Sequence, residues 1–144
     1  MRLKSRFLFF LMKVVIFCFT SSLLLVSCDK KRVFDEYKSV GKSWHKDSIV
    51  SFDLPKIDTS KPYDLFLNLR SNNDYSFNNI FLIVSLEQPD KRIKVDTLEY
   101  QMANPDGTLL GEGFTDVKES KLYYKERMKF KPGNYKIHIK QAVR

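Results

Sequence analysis

From residue 49 onward, apolar and polar side chains alternate with a period of two, the mark of strands that bury one face. In Ile49–Leu54, Val50, Phe52 and Leu54 share a face, with Ser51 and Asp53 opposite. In Tyr63–Arg70, Tyr63, Leu65, Leu67 and Leu69 oppose Asp64, Phe66, Asn68 and Arg70. Ile80–Leu86 is more continuously apolar, as expected of a central strand covered on both faces. Arg92–Met102 alternates with a change of frame near Asp96–Leu98, which predicts a bulge. Leu122–Phe130 and Tyr135–Val143 flank Lys131-Pro132-Gly133-Asn134 and predict a hairpin. Asn104-Pro105-Asp106-Gly107 predicts a tight turn, because proline pre-sets φ and glycine accepts a positive φ. No segment sustains a helical period. About seven strands with frequent turns predict an all-β fold, an antiparallel β-sandwich.

The first thirty residues have a different pattern. Arg2, Lys4, Arg6 and Lys13 precede a mostly apolar run, Val14 to Val26, and no acidic residue occurs before Asp29. This is the layout of a secretory signal peptide, and the run is shorter than the roughly 20 apolar residues of a membrane span. Leu25-Val26-Ser27-Cys28 resembles a bacterial lipobox. The small Ser27 suits a tight peptidase pocket, and the Cys28 thiol accepts a diacylglyceryl group as a thioether, with palmitate-type chains completing the anchor. Each buried methylene contributes about 0.8 kcal/mol, so several acyl chains make attachment effectively permanent. The expected organisation is therefore residues 1–27 as signal peptide, 28–47 as lipidated N-terminus and linker, and 48–144 as the β-sandwich.

Removal of 27 residues leaves 117 of the 144, a length that suits one domain. Cys18 lies in the discarded run and Cys28 is modified, so the mature chain has no disulfide and relies on its apolar core. The net charge of +8 also changes, because four of the 25 basic residues belong to the signal. The remaining imbalance is local: from Lys118 onward nine basic residues face two acidic ones. Export excludes nucleic acid as a routine partner; the segment reads first as a solvated basic face, with contact to anionic lipid headgroups as the alternative.

Candidate catalytic chemistry is sparse. His45 and His138, the two histidines, occur in no metal spacing, and His138 falls on the Lys136/Lys140 face, where it reads as a solvated surface residue. Nucleophile elbows, phosphate loops and calcium loops are absent. The acidic pairs Asp96/Glu99 and Asp116/Glu119 have the spacing of solvated strands. The expectation is a protein that is not an enzyme and uses no cofactor or metal. Aromatic residues are plentiful: Trp44, Tyr63, Tyr75, Phe77, Tyr100, Tyr123, Tyr124 and Tyr135. They read first as core packing, and as the alternative an exposed strip that binds sugar rings.

Three stretches resemble the gliding-motility lipoproteins of the GldH type: YDLFLNLRSNNDYSFNNIFLIV (Tyr63–Val84), VDTLEYQMANPDGTLLGEG (Val95–Gly113) and FKPGNYKIHIKQAVR (Phe130–Arg144). The matching positions are Arg70, Asn78, Asn79, the run Asp96 to Glu99, Asp106, Gly107, Gly111, Gly113, Gly133, Tyr135, Gln141, Ala142 and Arg144. The chain departs from the family at Leu109, where tryptophan is usual. It also stops at Arg144, where relatives continue with a closing strand, so an open sheet edge is expected there. The resemblance implies a lipid-anchored, periplasm-facing envelope protein, at the outer membrane rather than the inner. Its implied partners are envelope proteins of the gliding machinery and of the secretion apparatus associated with it. Arg70, Asp96 and Glu99 fall in family-like segments, and they are expected to form a charge-assisted network that fixes strand register, or a partner-binding patch.

Overall fold

A computed structural model describes residues 12–16, 31–113 and 116–143. Residues 12–16 are helical, and no helix among the described residues is long and apolar enough to cross a membrane. A compact unit begins at Phe34. Among the described residues it contains six strands: β1 (Ile49–Asp53), β2 (Pro62–Ser71), β3 (Asn79–Glu87), β4 (Ile93–Gln101), β5 (Lys118–Lys129) and β6 (Lys136–Gln141). Four pair in the order β1-β6-β3-β4, and β2 pairs with β5; every pairing is antiparallel. The fold class is the expected one, with six strands where about seven are predicted.

The inner faces of the two sheets meet in one core. Ile80, Leu82, Val84 and Leu86 of β3 are buried, as are Leu122 and Tyr124 of β5 and Ile137 of β6. Tyr63, Leu65, Leu67 and Leu69 pack against them from β2. Met102, Phe130 and Tyr135 close the ends. Strand β3 is central but buried on one face only, so Phe81, Ile83 and Ser85 stay partly exposed on the outer side. Its apolar run carries an outward-facing apolar row.

Two expectations are corrected. Lys131–Asn134 does not close a hairpin, since β5 and β6 lie in different sheets. Phe130 and Tyr135 are both buried, their rings 4.8 Å apart, and the Tyr135 carbonyl accepts from Leu54 N. The connection crosses the core between layers, and its turn residues are those a hairpin would use. The bulge predicted near Asp96–Leu98 is also absent, because β3 and β4 pair without interruption from Asn79↔Gln101 to Glu87↔Ile93. The change of frame is a change of composition. Ile93 and Val95 sit on the exposed outer face, whereas Asp96 shares the inner face with Leu98 and Tyr100. The real irregularity is in β2–β5, where the register shifts between Tyr63 and Leu65 and between Leu65 and Phe66. Arg127 there adopts φ 48°, and its N–H donates to Asp64 Oδ1 at 2.7 Å.

The Asn104–Gly107 turn forms as expected, with Gly107 N donating to Asn104 O at 2.9 Å. Gly111 has a different role. It adopts φ +108°, and a Cβ there would stand 2.6 Å from Glu119 O, so the Gly111–Gly113 segment lies against the start of β5 only because its two glycines lack side chains.

Candidate functional site

Cys28 and the signal segment's cleavage point lie outside the described residues. From Asp35 the chain runs as a strap over the outer face of the β2–β5 sheet. The Tyr37 hydroxyl donates to Glu119 Oε1 at 2.7 Å, and its ring lies under the Arg70 guanidinium, 4.2 Å away. Arg70 Nε donates to Glu119 Oε2 at 2.7 Å. Asn68 Nδ2 reaches Asp35 at 3.5 Å, and Lys38 Nζ donates to Ser51 O and covers the Phe52 ring. Burial and the Glu119 carboxylate hold the Tyr37 phenol above its ordinary range. Arg70 can serve Tyr37 and Glu119 together because a planar guanidinium stacks and donates at once.

The expected single network of Arg70, Asp96 and Glu99 does not exist as one cluster. Arg70 is on the outer face of β2, and Asp96 is on the inner face of β4 in the other sheet. Alternation along each strand sets these faces, and sequence neighbourhood cannot show that they belong to different layers. Asp96 bridges the layers instead, accepting from Lys125 Nζ at 2.8 Å and Tyr124 Oη at 2.9 Å. The Lys125 bond holds the Asp96 carboxyl below its ordinary range; burial, then Asp96, pushes the Tyr124 phenol up. Glu99 takes a third partner, accepting from Asn79 Nδ2 at 2.6 Å.

Of the aromatic residues singled out in sequence, Tyr124 and Tyr135 are buried, and Trp44, Tyr63, Tyr75 and Tyr100 pack around the core. Phe77 and Tyr123 are the ones left largely exposed. Phe77 sits edge-on to Tyr75 at 5.7 Å beside an open groove of about 790 Å³ that Asn78, Asn79, Glu99 and Gln101 also line. Sequence reasoning missed Tyr37, Glu119 and Lys125. The only signal for Glu119 and Lys125 was the charge-rich start and middle of β5, and Tyr37 gave none. His138 is a half-buried member of a cross-strand row rather than a solvated one. Its Nδ1 is 2.7 Å from Ser51 Oγ and its Nε2 is 3.8 Å from Glu87 Oε2. The row lies on the outer face of three adjacent strands and ties edge strand β1 to β6 and β3. Among the described residues no group of three or more His, Cys, Asp and Glu side chains is placed to hold a metal ion.

Residues 32–144 match the GldH lipoprotein family. The chain is 73% identical over 124 residues to "Gliding motility lipoprotein GldH" of Flavobacterium johnsoniae, covering 86% of this chain and 77% of that protein. It is 56% identical over 132 residues to "Gliding motility lipoprotein GldH homolog" of Christiangramia forsetii, covering 91% and 80%. No solved structure matches the chain. The chain belongs to the GldH lipoprotein family.

Proposed function

We propose that this protein is a non-enzymatic accessory lipoprotein of gliding motility and of the secretion machinery associated with it. Lipid on Cys28 holds it on the periplasmic side of a membrane, the outer membrane in preference to the inner. Residues 1–27 act as the signal and 28–47 as the lipidated N-terminus and linker, of which only 28–33 precede the compact unit as a short tether. The observation that carries this reading is the strap. Asp35, only seven positions beyond Cys28, already contacts the folded unit through Asn68. A short tether and a strapped domain suit a protein that works at a fixed height above a bilayer, against other envelope proteins. The outer face of the four-stranded sheet, with Ile49, Phe81, Ile83, Ile93 and Val95, supplies the apolar contact such partners use. Fatty-acid labelling should mark the wild type and not Cys28→Ala, and continued labelling of the variant overturns the anchor. Envelope proteins of the gliding or secretion apparatus should then co-purify with the lipidated chain.

A second reading has its own observation. The groove beside Phe77 pairs a half-exposed ring with amides and a carboxylate, the combination that holds sugar rings. Retention on a glycan array, lost in Phe77→Ala, would favour it over protein partners.

A further inference from the structure

The register shift in β2–β5 decides what β5 contributes to one end of the sandwich. Lys121 and Tyr123, at odd positions before the shift, face solvent, whereas Lys125 pairs with the inward-facing Leu65. Bulges re-aim side chains in this way. Lys125 thereby enters a cavity of about 350 Å³ between the sheets. Its floor includes the buried Leu86 and Tyr135, and its walls carry Arg92 from the β3–β4 turn, Lys94 from β4, Lys129 from β5, and Lys131.

Two turns hold this end together. Gly133 adopts φ +127°, and a Cβ there would stand 2.5 Å from Pro89 Cβ, so the β5–β6 connection packs against the β3–β4 turn at a distance only glycine permits. Arg92 and Lys131 are thus carried on a braced frame. No acidic side chain lines the cavity among the described residues. Two of the lining cations are paired with carboxylates: Asp90 accepts from Arg92 Nε at 2.8 Å, and Asp96 accepts from Lys125. Lys131 and Lys94 contribute to holding these two carboxyls in their charged forms. Five cations against two carboxylates leave three positive charges converging on one partly enclosed space. Their mutual repulsion is relieved by an anion, and the low-dielectric floor focuses the field on it.

We propose that this cavity is a binding site for a phosphorylated ligand, with the phosphate or diphosphate group held by Lys94, Lys129 and Lys131, while Lys125 and Arg92 line the space with their charges paired to Asp96 and Asp90. Lysine binds phosphate as a point charge, and several oxygens are needed to satisfy so many ammonium donors. The volume is at the small end of ligand sites, which favours a compact anion over an acidic peptide. The apolar floor suits the ester substituent of such a group. A membrane lipid headgroup and a free phosphate compound offer the same chemistry.

The test uses the lipidated full chain in neutral maltoside micelles at constant ionic strength, with lysine acetylation read residue by residue. Either pyrophosphate, or phosphatidylglycerol mixed into the micelles, is then added. At a ligand concentration of about twice Kd, acetylation of Lys94, Lys129 and Lys131 should fall about threefold, while the exposed Lys42 and Lys56 stay unchanged. Protection by pyrophosphate assigns a free phosphate ligand; protection by phosphatidylglycerol alone assigns a headgroup. The double variant Lys94→Gln/Lys129→Gln, with an unchanged melting temperature, should lose the protection at Lys131. Equal loss at all lysines, protection by neither probe, protection by a hexa-aspartate peptide alone, or persistence in the double variant would each overturn the proposal.

Discussion

The two sheets of the sandwich are built differently. In the four-stranded sheet, β3 is paired on both sides and its ladder with β4 runs unbroken over nine residues. Its inner positions hold the most completely buried side chains, Leu82, Val84 and Leu86. In the two-stranded sheet, β2 and β5 are each paired on one side, their register shifts twice, and one residue takes a left-handed φ. Arg70, Glu119 and Lys125 all belong to this second pair. A strand bonded on both sides has no freedom to re-aim a side chain, because a slip there would turn every apolar residue outward. The pair with free edges can absorb bulges. Its outer face carries the strap and its end carries the basic cavity, so the regular sheet supplies stability and the irregular one supplies sites.

Substitution on the two sides of the core is the strongest way to break this contrast. Leu82→Ala, in β3, should destabilise the fold by about 3 kcal/mol, the cost of lost transfer energy plus a cavity that rigid neighbours cannot close. Leu67→Ala, partly buried in β2, should cost about 1.5 kcal/mol, because its site is half open and can relax. Urea unfolding of the full chain in neutral micelles measures both. Equal losses would show that the two sheets share the core evenly.

Single strands and tight turns are legible in the sequence. Those around Ile80–Leu86 and Tyr63–Arg70 announce themselves by apolar content and period-two alternation, and the proline–glycine turn at Asn104–Gly107 by its chemistry. The layer assignment is not legible. Lys131–Asn134 has the composition of a hairpin turn, and only the tertiary burial of Phe130 and Tyr135 directs the chain to the other sheet. Asp96 interrupts an apolar face and so suggests a bulge in β4, yet it keeps its inward place by bonding Lys125 and Tyr124 across the core. A polar residue satisfied from another layer looks, in one strand's sequence, like a break in that strand. Arg70 is read in the sequence beside Asp96 and Glu99, partners that the layers keep apart, for the same reason. Glu119 is 49 positions away and reaches it only through the β2–β5 ladder.

Asp96 joins the two sheets, so its titration should sharpen the comparison by a smaller amount. Its carboxyl is held below the ordinary value of 3.8, chiefly by the Lys125 bond. A depressed carboxyl stabilises the fold fully above that ordinary value, and the contribution disappears as pH falls through the lower folded value. Asp96→Asn should therefore lower stability by about 1 kcal/mol at pH 7, a modest figure because the pair is partly solvated. The gap between variant and wild type should close below pH 3.8. Melting temperatures of both proteins from pH 7 to pH 3 check this. A gap that does not change with pH would mean that Asp96 acts through packing and not through its charge.

The smallest expected effect is on the strap, and it separates local from global roles. Arg70 is an exposed member of an ion pair, and such pairs contribute less than about 1 kcal/mol to stability. Arg70→Met removes the Glu119 bond and the charge over the Tyr37 ring but leaves the β2–β5 backbone ladder in place. The melting temperature should therefore move little. Amide exchange across Asp35–Val40 should speed up about fivefold as the strap opens more often. Arg70→Lys should fall between the two, since an ammonium keeps the charge without the planar stack. A large drop in melting temperature with unchanged exchange in the strap would instead make Arg70 a determinant of strand register. Unchanged exchange and unchanged stability, with loss of a co-purifying envelope protein, would make it a partner contact. Only faster local exchange on an intact fold matches a guanidinium whose work is to hold the strap against the irregular sheet.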